Sequence, residues 1–187
     1  RCGRLRRSSS GRMVAVPEEQ RRPRSRAHRS EPSGPRPQAS IVVTTYATPT
    51  NLLEISLTSL LEQTLTDIEV ILVIDGDLPE TSEALVAETA ERDPRLVVLR
   101  PGRVGRARAL NVGMTATRSE IVGIQDADDA SHPRRLEVQL ALFDRVPRLS
   151  LLGTGAVITT DLQARADWDL PDVPPSVRII SRALLRS

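Results

Sequence analysis

Between Ser40 and Gln125, short β-branched apolar runs alternate with longer segments whose apolar residues recur at helical spacing. Few folds accommodate that alternation. Ser40–Thr45 (SIVVTT), Ile68–Ile74 (IEVILVI), Leu96–Leu99 and Ile121–Gln125 read as buried strands, because they are short and almost continuously apolar. Asn51–Gln63 carries Leu53, Leu57, Leu60 and Leu61 on one helical stripe. Asn51 with Glu54 three residues on has the outline of a capping box. Glu80–Arg92 reads as a helix stopped by Asp93-Pro94. Arg106–Ala116 and Arg134–Asp144, the latter behind Pro133, read as two more. A further strand is expected within Ser150–Thr160, and a helix over Ser176–Leu185 with Pro175 just outside it. Strands apolar along their whole length need cover on both faces, which implies a parallel sheet between helices. Right-handed crossovers then give an α/β, doubly wound, Rossmann-like unit with a mainly parallel sheet. There is no internal repeat.

Composition separates this unit from what precedes it. Residues 1–38 hold 11 Arg and 3 Glu of the chain's 26 basic and 24 acidic residues, leaving 15 Arg against 21 acids in the rest. The basic segment is rich in Pro, Ser and Gly and lacks apolar periodicity, so residues 1–38 are expected to be a disordered tail. Residues 39–187 form the expected folded domain, and that domain is mildly acidic. An acidic body with only Tyr46, Phe143 and Trp168 as rings argues against nucleic acid as a partner. Cys2 is the sole cysteine, which excludes an intrachain disulfide or a cysteine zinc site. No apolar run approaches the roughly 18 residues of a membrane-spanning helix, and no secretory leader is evident, so a cytoplasmic setting is expected. The chain opens on Arg1, so the expectation is either a fragment or a true start at Met13.

In an open parallel sheet, ligands bind beyond the carboxyl ends of the strands. The residues found there are Thr44, Thr45 and Tyr46; Asp75, Gly76 and Asp77; the loop Arg100–Gly105; and Asp126-Ala127-Asp128-Asp129. At least four carboxylates converge with no Lys in the chain to balance them, and like charges so close repel strongly. A divalent cation would relieve that, and all-oxygen ligands suit Mg²⁺ or Mn²⁺. In an extended segment Asp126 and Asp128 would point to the same side and meet one ion. Alone, such an acidic pair equally describes a solvated loop; its place directly after a buried strand favours the ligand site. Gly102 and Gly105 read as a turn, His132 as a bystander or a third ligand, and Trp168 as a packing anchor.

The segments SIVVTTYATP, IEVILVIDGD, RARALNVGMTATRSEIVGIQDADDASHPRRLEVQLALF and PRLSLLGTGAVI together resemble the N-terminal half of family 2 glycosyltransferases. The subset they most resemble is that of bacterial polysaccharide and cell-surface glycan transferases. The resemblance spans about residues 39–160 and is expected to extend to 187. It implies a GT-A fold truncated at its C-terminus, an inverting transfer from a nucleotide-diphosphate sugar, expected to be a UDP-sugar, a divalent metal, and a glycan or lipid-linked acceptor. Peripheral association of the full-length protein with the inner face of the cell membrane is compatible with it. Position by position, Thr45 and Asp75 resemble the residues that contact the base, Asp126 the one that meets the ribose, and Asp128 the metal ligand. Arg108 and Asn111 fall in the helix under the diphosphate-sugar. The catalytic base is expected beyond Ser187, since Asp161, Asp167, Asp169 and Asp172 come too early to match it. The chain departs from the family in having Thr44-Thr45-Tyr46-Ala47 for Pro-Thr-Tyr-Asn and Ile74-Asp75-Gly76-Asp77 for Asp-Asp-Gly-Ser. That leaves the base preference open.

Rival readings are weaker. A haloacid-dehalogenase-like phosphatase also places D-x-D after a buried strand, but it wants Thr or Val where Ala130 stands, and a Lys. A nucleotidyltransferase would carry a Gly-rich basic signature after the first strand. A nucleotide-sugar-binding fragment without turnover is the third alternative.

Overall fold

The structure, a computed structural model, describes residues 35–155 in full, together with the backbone of 5–7, 13–15 and 181–186. The chain divides into two units, Arg1–Pro35 and Arg36–Ser187. In the first, β1 (Leu5–Arg7) pairs antiparallel with β2 (Met13–Ala15), Leu5 opposite Ala15. The remainder of the expected tail up to residue 34 lies outside the described residues, as do Asp161, Asp167, Trp168, Asp169 and Asp172.

The second unit runs β3 (Ala39–Thr45), α1 (Thr50–Leu61), β4 (Ile68–Ile74), α2 (Glu80–Arg92), β5 (Leu96–Leu99), α3 (Arg106–Ala116), β6 (Ile121–Asp126), α4 (Arg135–Arg145), β7 (Leu151–Thr154) and β8 (Ser181–Arg186). The sheet order is β5-β4-β3-β6-β8-β7, with β5, β4, β3 and β6 parallel. From β3 the chain steps outward to β4 and β5. It then crosses back to place β6 on the other side of β3. That reversal is the topological switch point, where an open sheet leaves a crevice beyond its carboxyl edge.

The near-continuous apolar strands are explained by two layers of cover. Ile41 and Val43 of β3 and Val70, Leu72 and Ile74 of β4 face a core with Leu53, Leu57 and Leu60 of α1, Val86 of α2, and Leu136, Leu140 and Phe143 of α4. The alternate residues Val42, Ile71 and Val73, with Val122 of β6, face Ala109 of α3 on the other side. Helix α3 approaches the sheet closely because it carries Gly113. A Cβ there would stand 3.0 Å from Val73 Cγ2 and far inside contact distance of Val42 Cγ1. At the amino edge of the sheet, the buried Glu69 carboxylate accepts hydrogen bonds from Ser40 Oγ (2.5 Å), the Arg118 backbone N–H (2.7 Å) and Arg118 Nε (2.7 Å). This ties the α3–β6 connection to β3 and β4.

Two expectations are corrected. Ser181–Arg186 is a strand rather than the end of a helix over Ser176–Leu185; it pairs antiparallel with β6 (Gly123 opposite Leu184) and β7 (Leu151 opposite Leu185). An unpaired edge offers backbone partners that local periodicity does not register, and tertiary pairing overrides propensity. The capping box also does not form. Helix α1 starts at Thr50 behind Pro49 with no side-chain cap. Thr50 Oγ1 instead bonds Thr81 Oγ1 (2.9 Å) and Ser82 Oγ (2.7 Å), joining the first turns of α1 and α2. Among the described residues, no helix is long and apolar enough to cross a membrane.

Candidate functional site

The Asp126–Asp129 segment closes as a turn at the end of β6, with the Asp129 N–H on the Asp126 carbonyl (3.2 Å). The two acids of the D-x-D therefore meet across a turn, not along an extended segment as expected. The turn also brings in Asp129: carboxylate oxygens of Asp126, Asp128 and Asp129 lie within 4.8 Å of one another. Three oxygen donors at that spacing, with Asp128 exposed, fit a hard divalent cation that keeps part of its water shell. His132 is not in this cluster; its Nδ1 accepts the Arg134 N–H (3.1 Å). The expected shortage of balancing cations is also corrected, because arginines fill the role. Arg106, the first residue of α3, reaches across the switch point to Asp126 Oδ1 (2.5 Å).

A buried polar network holds the turn from behind. Ser56 and Ser59 lie on the inward side of α1 beside its leucines, and the buried Gln63 follows just past its C-terminus. Ser56 Oγ donates to the Asp126 carbonyl (3.2 Å), and Ser59 Oγ accepts the Ser131 N–H (3.0 Å). Gln63 donates to the His132 carbonyl (2.8 Å) and accepts the Leu136 N–H (3.1 Å). Gln125, directly before Asp126, donates to Ser56 Oγ (2.9 Å) and to the Asp129 carbonyl (3.0 Å). Its Oε1 accepts from Ser131 Oγ and from the buried Arg135 (3.2 Å). Sequence reasoning passed over these residues. The available signal was polar residues at spacings of three and four on an otherwise apolar helix face, plus a Gln inside a buried strand.

Across β3, Asp75 directly follows β4 as a buried carboxylate. Its Oδ1 accepts the N–H groups of Val104 (2.6 Å) and Gly105 (2.9 Å), and its Oδ2 pairs with Arg103. Burial alone would push this carboxyl up. The two amides and the Arg103 charge outweigh burial and hold it below the ordinary carboxylate range. Arg103 also lies over the exposed Tyr46 ring, 3.4 Å from its centroid. Gly102 and Gly105 take positive φ values of 76° and 86°, and the Gly105 carbonyl begins α3 by accepting the Arg108 and Ala109 N–H groups. Asp75 thus fixes where α3 starts, and with it Arg106.

Thr45 is buried between these groups. Its carbonyl accepts the Asp75 N–H (2.9 Å), and its hydroxyl is buried without a hydrogen-bond partner. Arg108 and Asn111 are exposed on α3. Thr45, Asp75, Asp126 and Asp128 therefore all stand at the carboxyl edge of three adjacent strands, as the sequence suggested.

Residues 40–168 match the model of glycosyl transferase family 2. The chain belongs to that family. Among similar proteins, it is 30% identical over 118 residues to an uncharacterised glycosyltransferase of Methanocaldococcus jannaschii, covering 63% of this chain and 41% of that one. It is 32% identical over 120 residues to the amylovoran biosynthesis glycosyltransferase of Erwinia amylovora, covering 63% of this chain and 45% of that one. The chain thus spans less than half the length of these curated relatives. Among solved structures it resembles a mannosyltransferase of Pyrobaculum calidifontis in complex with GDP-mannose and Mn²⁺: TM-score 0.54, 27% identity, 65% of this chain and 36% of that one. These likenesses establish the GT-A fold for this family 2 domain.

Proposed function

We propose that the crevice at the switch point binds a nucleotide-diphosphate sugar together with Mg²⁺ or Mn²⁺, as the donor half of an inverting glycosyl transfer to a glycan or lipid-linked acceptor. The observation that carries the reading is the meeting of the Asp126, Asp128 and Asp129 carboxylates beside Asp75 at one sheet edge, in a chain of this family. The solved mannosyltransferase with GDP-mannose and Mn²⁺ supports the ligand class.

In this reading Asp128, the most exposed of the three, is the principal metal ligand, Asp129 assists it, and Asp126 turns toward the ribose. A divalent cation held there would supply positive charge to the departing diphosphate. Asp75 and Thr45 form the base end. A carboxylate offers about four lone-pair sites, so Asp75 can keep its two amides and still accept a base N–H. With ion and nucleotide bound, the exposed Arg106 guanidinium would be placed to pair with phosphate instead of Asp126. The carboxylate that takes the acceptor proton is assigned to a part of the transferase outside residues 1–187, and the full-length protein works at the cytoplasmic face of the membrane.

Calorimetry of uridine and guanosine diphosphate, each with Mn²⁺ and with chelator, tests this. Metal and nucleotide should strengthen each other's binding reciprocally. Asp128→Asn keeps the shape and removes the charge, so it should abolish the effect of Mn²⁺ on nucleotide affinity. Full metal-dependent binding by that variant would reduce the turn to a solvated loop.

A further inference from the structure

Arg135 is the residue that the family reading leaves unexplained. It opens α4, is 9% exposed, and directs its guanidinium inward toward the back of the acidic turn. Nη1 donates to Ser131 Oγ (2.8 Å) and Gln125 Oε1 (3.2 Å), Nε to Gln139 Oε1 (3.2 Å), and Nη2 to the Ile124 carbonyl (3.4 Å). All four acceptors are neutral. Burying a guanidinium without a carboxylate is costly. The cost is visible in its pKa, which burial draws down to about 10. An apolar residue would fill an inward position of α4 more cheaply, as Leu136 and Leu140 do.

What the guanidinium gains is geometry. One planar fork touches the strand that carries Asp126, the loop that follows Asp129, and α4. Gln125 and Ser131, both held by it, bracket the turn. Gln125 passes the constraint to the Asp129 carbonyl, and Ser131 is anchored by its N–H to Ser59. Lysine cannot reproduce this, being a point charge without a fixed fork. We propose that Arg135 is a positioning residue of the metal–nucleotide site, its fork setting the Asp126–Asp129 turn so that the carboxylates are presented together. This rests on the reading of that turn as the metal site.

The test compares Arg135→Met and Arg135→Lys with the unaltered chain. One measurement is calorimetry of uridine and guanosine diphosphate with Mn²⁺ and with chelator. The other is amide hydrogen exchange without ligand. Both variants should lose roughly 10- to 100-fold of the Mn²⁺-dependent gain in nucleotide affinity, as outer-shell substitutions do, with metal-free affinity unchanged. The Asp129 and Ser131 amides should exchange faster, while those of β3 and β4 hold. Equal loss of metal-free binding, or loss of strand protection, would mean a merely structural residue and overturn the proposal. Full metal-dependent binding by Arg135→Lys would assign the effect to charge and overturn the fork. If Arg135→Met does not fold, Ser131→Ala removes one arm of the clamp and should shift the same readouts the same way. If the unaltered chain shows no Mn²⁺-dependent nucleotide binding, the functional reading fails. The exchange data then decide the clamp alone: faster exchange at Asp129 and Ser131 upholds it, and unchanged exchange overturns it.

Discussion

Replacing Gly113 by Ala should destabilise this domain, although the same change in an ordinary helix stabilises. A helical Gly→Ala substitution away from contacts gains about 1 kcal/mol from propensity. Here the added methyl would meet two β-branched side chains, 3.0 Å from Val73 Cγ2 and much closer to Val42 Cγ1. Val42 and Val73 are both fully buried on adjacent strands, and valine is stiff at χ1, so neither can turn aside. Overpacking of this kind costs about 1–3 kcal/mol, and a contact this close places it in the upper part of that range. The net loss should be about 1–2 kcal/mol, a Tm lower by roughly 2–8 °C for a chain of this size. Thermal and denaturant unfolding of Gly113→Ala, Val42→Ala and the double variant make the check. Val42→Ala alone should cost on the order of 2 kcal/mol from lost buried methyls, and the double should cost less than the sum, because each change accommodates the other. A Gly113→Ala variant more stable than the parent, or strict additivity with Val42→Ala, would refute the close approach of α3. The consequence extends to function, since α3 carries Arg106 to Asp126.

Other outcomes follow from individual contacts. The Asp75 clamp should persist at neutral and mildly acidic pH. Its carboxyl is held below the ordinary range, so the stabilisation is complete above that range and is lost only as pH falls through the lowered value. Amide chemical shifts of Val104 and Gly105 followed down the acid limb report it, and a transition above the ordinary carboxylate range would contradict it. Asp75→Asn should speed exchange of those two amides at neutral pH, because a neutral amide oxygen is a weaker acceptor than a carboxylate and the N–H₂ would face Arg103. Glu69→Ala should cost about 2–4 kcal/mol, measured by urea unfolding, since it removes the acceptor of the buried Ser40 O–H and of the Arg118 N–H. A loss within 0.5 kcal/mol, the usual range for surface substitutions, would show that cluster to be solvated.

Much of the domain was legible in the sequence. The β-strand and α-helix alternation from β3 to β7 came from apolar periodicity, with ends shifted by only one or two residues for most elements. Chain order and the carboxyl-edge rule were enough to bring Thr45, Asp75, Asp126 and Asp128 to one edge. The misses involve interactions between residues distant in the chain. β8 pairs through backbone groups, which leave no local pattern. The N-terminus of α1 is tied to α2 rather than to its own Asn51. Asp129 joins Asp126 and Asp128 because the segment turns, and a spacing rule for extended chain cannot anticipate a turn.

The sequence by itself determined the fold class, through buried β-branched runs and helical stripes, and pointed to the family through the resemblance of its motif segments; both depend on residue type and order along the chain. Only the tertiary structure decided how charge is balanced at the site. Arg103 and Arg106 are close in sequence, yet one pairs with Asp75 and the other with Asp126 on opposite sides of β3. Arg135 sits nine residues after Asp126 and is buried behind its turn with no carboxylate partner among the described residues. Coulombic and hydrogen-bond energies depend on distance and burial in space, and those appear only once the strands are side by side.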